Sequence, residues 1–170
     1  MITRLAVFAA LLLGLQAPAL AAIEIAFHSR ERGGSFPHAF IRLSGTLDAT
    51  GEPVDTAYGF TARALSPAIL FGPVSGEVFV ESEARIRSSE RQFRLTVTDD
   101  QYRAVMTVVE EWRSRPQPSY SLNRANCIHF VAAVASALDL RVELVPRLMR
   151  RPRSFLIHQR ALNEGRVTPG

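Results

Sequence analysis

The chain has 170 residues, a formal charge of +4 and a single cysteine. One cysteine excludes an internal disulfide, and the four histidines lack any CxxC, HxxxH or HExxH spacing, so neither a metal nor another cofactor is expected. Every basic residue is arginine, with the excess concentrated in residues 141–166, which reads as a solvated basic surface or a contact for an anionic envelope component and not as a nucleic-acid site.

The opening Met-Ile-Thr-Arg4, the apolar block of residues 5–15 and the small-x-small sequence Ala19-Leu20-Ala21 predict a removable export signal over residues 1–21. An apolar block well short of the ~20 residues that cross a bilayer disfavours a retained anchor. The destination is then periplasmic or secreted, and residues 22–170 have the size of one domain.

Ile23, Ile25 and Phe27 alternate with Glu24, Ala26 and His28, the period of a half-buried strand. A polar, glycine-rich loop over residues 30–35 follows. In the next strand His38, Phe40, Arg42 and Ser44 share one face and Ala39, Ile41 and Leu43 the other, with His38 at its start. Turn chemistry from Asp48 to Gly51 and renewed alternation over residues 54–60 predict a hairpin, in which Gly59 marks a kink or close packing.

Pro67, Gly72, Pro73 and Gly76 forbid long regular structure. A strand then places Val78 and Val80 on one face and Glu77, Phe79 and Glu81 on the other. Residues 91–98 alternate again, with Phe93, Leu95 and Val97 inward. There the period becomes helical: Asp99 is the expected N-cap, and Tyr102, Val105, Met106, Val109 and Trp112 follow at helical spacing until Pro116.

Residues 113–125 read as a polar loop whose Tyr120 and Leu122 fold back onto the core. Asn126 caps a second helix with Ile128, Val131, Val134, Ala135 and Leu138 on its apolar face, and its many small residues allow close approach to a sheet. One more strand over residues 141–145 and a short amphipathic helix over residues 154–162 complete an α+β domain: an antiparallel sheet packed against a central helix that carries the cysteine.

Behind the Asn126 cap, Cys127 is the first helical residue, where free N–H groups and the positive end of the helix dipole favour a thiolate. In an exported chain it is a buried inert thiol, an intermolecular bridge or a nucleophile. A nucleophile needs an imidazole within reach. His129, two residues on, points about 200° away around the axis, and His28 and His158 sit in segments of no special character. His38, at a strand start after a glycine-rich loop, is the best placed of the four.

The order Pro37-His38-Ala-Phe-Ile-Arg-Leu, then Thr56-Ala-Tyr58-Gly-Phe60, then Tyr120-x-Leu-x-x-x-Asn126-Cys127-x-x-Phe130-Val131 resembles the circularly permuted branch of the NlpC-type papain-like thiol hydrolases. That branch includes relatives of lecithin retinol acyltransferase and the PPPDE peptidases. The resemblance spans residues 22–140 and implies a permuted papain-like fold with Cys127 as nucleophile and His38 as base. A third polar group on the following strand would orient the imidazole; no histidine, asparagine or glutamine stands on residues 54–60, which leaves Thr56 and Tyr58. Tyr120 would join the Cys127 N–H in an oxyanion hole, or else anchor the loop by burying its ring.

The expected function is an exported cysteine hydrolase (thiol protease or amidase) or acyltransferase that cleaves an amide, ester or thioester bond. Its partner would be a peptide, peptidoglycan or acyl-lipid substrate. A catalytically inactive envelope binding module of the same fold, using its basic C-terminal segment, is the alternative, and a disulfide-linked homodimer a third option.

Overall fold

A computed structural model describes residues 22–31, 36–64 and 66–170; the export signal expected over residues 1–21 lies outside them, as does part of the glycine-rich loop. The elements are β1 (Ile23–Arg30), β2 (His38–Thr46), β3 (Pro53–Ala62), β4 (Gly76–Val80), α1 (Glu83–Arg87), β5 (Glu90–Val97), α2 (Asp99–Arg113), α3 (Cys127–Ala137), α4 (Pro152–Leu162) and the two-residue β6 (Thr168–Pro169). The strands form an antiparallel sheet in the order β4-β3-β2-β1-β5-β6. This is the α+β class that the periodicities predict.

Alternation decides which side of the sheet is covered. Ile25 pairs with Leu43 and Leu95, and Phe27 with Ile41 and Phe93, so one face carries a continuous apolar surface. The helices α2, α3 and α4 pack on that face through Val105, Val109, Phe130, Val131, Val134, Phe155 and Leu156 in one buried cluster. Phe27 stacks on Phe93 with centroids 4.5 Å apart. The opposite face holds a small cluster of Phe40, Ala57 and Ile86, the last contributed by α1.

Three local readings change. The N-cap of α2 is Thr98, not Asp99: its hydroxyl accepts from the Gln101 N–H while the Gln101 side chain accepts from the Thr98 N–H. Asp99 instead accepts from the Asp48 and Ala49 N–H groups and ties down the β2–β3 hairpin. Residues 82–88, unassigned by periodicity, form the short α1 behind a Ser82 cap.

The third change is residues 141–145, which join no strand. Their backbone groups are taken by side chains of α4 and its C-cap. The Arg141 N–H donates to Asn163 Oδ1 at 2.8 Å and the Glu143 N–H to Gln159 Oε1 at 3.1 Å, while Asn163 Nδ2 and Gln159 Nε2 donate to the Arg141 and Glu143 carbonyls. Asn163 and Gln159, buried at 2% and 1% exposure, thus imitate a neighbouring strand. Asn163→Ala removes three hydrogen bonds of a buried amide and is expected to cost about 2–3 kcal/mol in urea unfolding, without changing the m-value.

Candidate functional site

Asn126 has extended backbone, and its Oδ1 accepts from the Ile128 and His129 N–H groups at 2.9 and 3.3 Å. His129 Nδ1 accepts in return from the Asn126 N–H, closing a capping box. His129 is thus spent on the helix start, as its position around the axis suggests. The same asparagine donates to the Leu122 carbonyl at 2.7 Å and to the Met149 carbonyl at 2.8 Å. One side chain therefore fixes the start of α3 against the preceding loop and the segment that leads into α4. The cap bonds go to residues 128 and 129 and leave the Cys127 N–H out of them.

Cys127 is a free thiol at 6% exposure. It belongs to the helix layer, while His38 opens β2 and stacks its ring on Phe40 and Phe79, with centroids 6.1 and 5.7 Å away. The two come together at the end of the sheet, where both side chains line one cleft.

The partner of His38 on its other side is Glu81, directly after β4. His38 Nε2 lies 2.9 Å from Glu81 Oε1, and the Glu81 side chain is closed off from solvent. A buried carboxylate needs cationic or hydrogen-bonding partners. Besides His38, Glu81 has Arg85 Nη1 at 3.5 Å from Oε2. Burial opposes charge on the imidazole, but hydrogen bonds to Cys127 and Glu81 and their negative charge outweigh it, and the His38 pKa rises from 6.5 to about 9.

Gly59 makes the room for this pair. It sits opposite Phe40 and Phe79 in the sheet, and a Cβ there would lie 2.5 Å from His38 Nε2 and 2.6 Å from Glu81 Oε1. The glycine read from sequence as a mark of close packing is where a side chain would split the histidine from its carboxylate.

Tyr120 reaches the same place from the loop before α3. It pairs with Val74 through two backbone bonds of 2.9 Å and sets its ring 5.7 Å from Phe60. Phe60 in turn packs edge-on against Trp112. Burial and the nearby Cys127 push the Tyr120 hydroxyl up to about 12, so it remains a phenol and a donor at any ordinary pH. Loop anchoring and proximity to the thiol therefore coexist in one residue.

Tyr58 is placed elsewhere. It pairs with Ile41 and Val80, packs against the core on the helix side, and lies under the Arg113 guanidinium at 5.8 Å. Thr56, two residues before it on the same face, is likewise absent from the cleft lining. The position beside His38 belongs to Glu81, one strand further on. His28 does not line the cleft: it is buried, stacked on Phe40 and bonded to Ser89 at 2.9 Å, with burial and the nearby arginines lowering its pKa to about 4. His158 pairs with Glu143.

Cys127, His38, Glu81 and Tyr120 line one cleft of about 100 Å³, walled by Phe40, Ile69, Phe79 and Leu122, with Arg30 and Arg85 at its polar side. A second cleft of about 220 Å³ also reaches Cys127, between Tyr120, Leu122 and Met149. The thiol, although nearly covered, is thus open to two adjoining depressions.

A six-stranded antiparallel sheet backed by helices is a fold found among solved structures. The type VI secretion system effector TseH shares it at a TM-score of 0.54 and 17% sequence identity, over 84% of this chain and 90% of that one. At that identity the likeness establishes the fold alone. No family model and no curated protein matches the sequence.

Gly59→Ala is expected to leave the sheet folded but separate His38 from Glu81. Histidine NMR titration would then find the His38 pKa lowered from about 9 towards or below 6.5; an unchanged value would mean that the pair moves together to accept a methyl group.

Proposed function

We propose that the chain is a thiol hydrolase or acyltransferase of the permuted papain-like kind, in which Cys127 attacks a carbonyl, His38 carries the proton and Glu81 orients the imidazole. The observation that supports this best is the position of His38, which shares a cleft with the lone cysteine and holds a buried carboxylate 2.9 Å from its Nε2. With Nε2 engaged by Glu81, Nδ1 is the nitrogen left for sulfur.

The chemistry follows from those partners. At neutral pH a histidine with a pKa near 9 is an imidazolium, charge-matched to Glu81 and to a sulfur anion. Cys127 sulfur adds to an amide, ester or thioester carbonyl, and the oxygen takes the negative charge within reach of the Cys127 N–H and the Tyr120 hydroxyl. As the tetrahedral carbon collapses, His38 gives its proton to the departing nitrogen, oxygen or sulfur, leaving a thioester on Cys127. Water, or an alcohol or amine acceptor, then adds while neutral His38 accepts its proton, and the thiolate is released as the leaving group. Water as acceptor makes the chain a hydrolase, and another acceptor makes it an acyltransferase.

The fold shared with a secretion effector is compatible with an exported enzyme, and the sequence of residues 1–21 supports a periplasmic or secreted location. Peptide, peptidoglycan and acyl-lipid carbonyls all suit this chemistry. Glu81 beside His38 supplies an orienting carboxylate that residues 54–60 lack, which favours the enzyme over an inactive binding module. A cysteine at 6% exposure is also a poor site for an intermolecular disulfide.

Acylation by p-nitrophenyl acetate in single turnover tests the assignment. Cys127→Ala is expected to abolish the burst, and His38→Ala to slow it by about 10²- to 10⁴-fold. The wild-type profile of kcat/KM should fall above pH 9, because the His38 proton is present below its raised pKa and lost above it. Glu81→Gln removes an opposite charge and should bring that falling limb down by about 1–3 pH units. A burst that survives Cys127→Ala would place the nucleophile elsewhere.

A further inference from the structure

Among the described residues five large hydrophobic side chains stand half or more exposed: Phe36, Leu70, Phe71, Val80 and Leu144. Four of them are gathered around one side of the molecule. Phe36 and Leu70 line the cleft that reaches Cys127 and Arg150, Phe71 follows Leu70 directly, and Leu144 lines the adjoining depression with Arg147, Arg150 and Arg151. Phe71 is the extreme case at 88% exposure. Leaving an aromatic ring in water forgoes its favourable burial, so an exposed cluster of this kind points to a contact that covers it.

The local backbone makes Leu70 and Phe71 a fixed projection. Pro67 opens a short 3-10 turn, Pro67–Leu70, and the Phe71 and Gly72 N–H groups both close onto the Ala68 carbonyl at 3.0 and 3.2 Å. Ile69 points inward and is buried, which turns its neighbour Leu70 outward. The turn thus presents two apolar side chains on a knob beside the cleft mouth.

The charged residues lining the two depressions have one sign. No aspartate or glutamate lines either of the two depressions, whereas Arg147, Arg150 and Arg151 are all exposed along their rim. Projecting apolar side chains flanked by guanidinium groups match the boundary between acyl chains and anionic headgroups. No helix of the described residues is long and apolar enough to cross a membrane, so any such contact within them is made by the surface.

We propose that this face seats on an anionic lipid bilayer, with Leu70 and Phe71 entering the headgroup boundary and Arg147, Arg150 and Arg151 resting on lipid phosphates. The proposal stands apart from the thiol chemistry, and its test reads the position of a side chain instead of turnover. Seated this way, the protein opens its Cys127 clefts towards the membrane plane.

The test places an indole at the knob. The protein, processed as the expressing cell delivers it, carries Phe71→Trp; the single native Trp112 is buried at 5% exposure and supplies a constant background measured in the wild type. With vesicles containing phosphatidylglycerol, the added indole is expected to shift to shorter emission wavelength and to be quenched by brominated acyl chains. Arg147→Gln, Arg150→Gln and Arg151→Gln should lower vesicle affinity by about fivefold for each charge removed. An indole that keeps its water-exposed emission while vesicles are titrated in overturns the proposal. So does a blue shift that needs no lipid and grows with protein concentration, which would make this face a contact between copies of the chain. Equal binding to purely zwitterionic vesicles would overturn the role given to the arginines.

Discussion

The contact on which the site depends is the hydrogen bond between His38 and the buried Glu81. A carboxylate removed from water is costly unless its charge is answered nearby, and an imidazole in the same place is costly if it must be charged alone. Each solves the problem of the other. The consequence is a histidine that holds its proton well above neutral pH in a cleft that the single thiol of the chain also lines.

Most of the surrounding architecture holds those two groups in register. The bare face of Gly59 supplies the volume, and Phe40 and Phe79 sandwich the ring. Glu81 enters from the edge of the sheet, where its backbone N–H donates to the Ala57 carbonyl at 2.9 Å. From the other side, Asn126 binds the start of α3, the Leu122 carbonyl and the Met149 carbonyl together, so the sulfur arrives on a helix end that cannot drift. The aromatic chain of Tyr120, Phe60, Trp112 and Phe130 fixes the loop that leads to it.

Features with a strong local signal were legible in the sequence. Period-two alternation located the five long strands, and Asn126 before an alanine-rich apolar run located the cysteine helix, its cap and its burial. Local signals also misled where a neighbour competed for the same group: Asp99 has the chemistry of a cap, yet Thr98 with Gln101 takes that role and Asp99 serves the hairpin. Residues 141–145 have a strand pattern, but the amides of Asn163 and Gln159 satisfy the backbone instead of a ladder. Glu81 escaped notice because its partner lies 43 residues away, a pairing that depends on strand order. The alternation did place Glu81 on one face with Phe79, the ring that covers His38. The carboxylate beside His38 stands just past the strand that follows residues 54–60.

The central claim is that Cys127 is a nucleophile served by His38, and the rate of Cys127 alkylation by iodoacetamide across the pH range tests it most directly. A sulfur served by that imidazole should react faster than free cysteine at neutral pH, and His38→Ala should remove the advantage. A rate that climbs as a single titration near the ~8.5 of an ordinary thiol, with no advantage over free cysteine below it, would contradict the account.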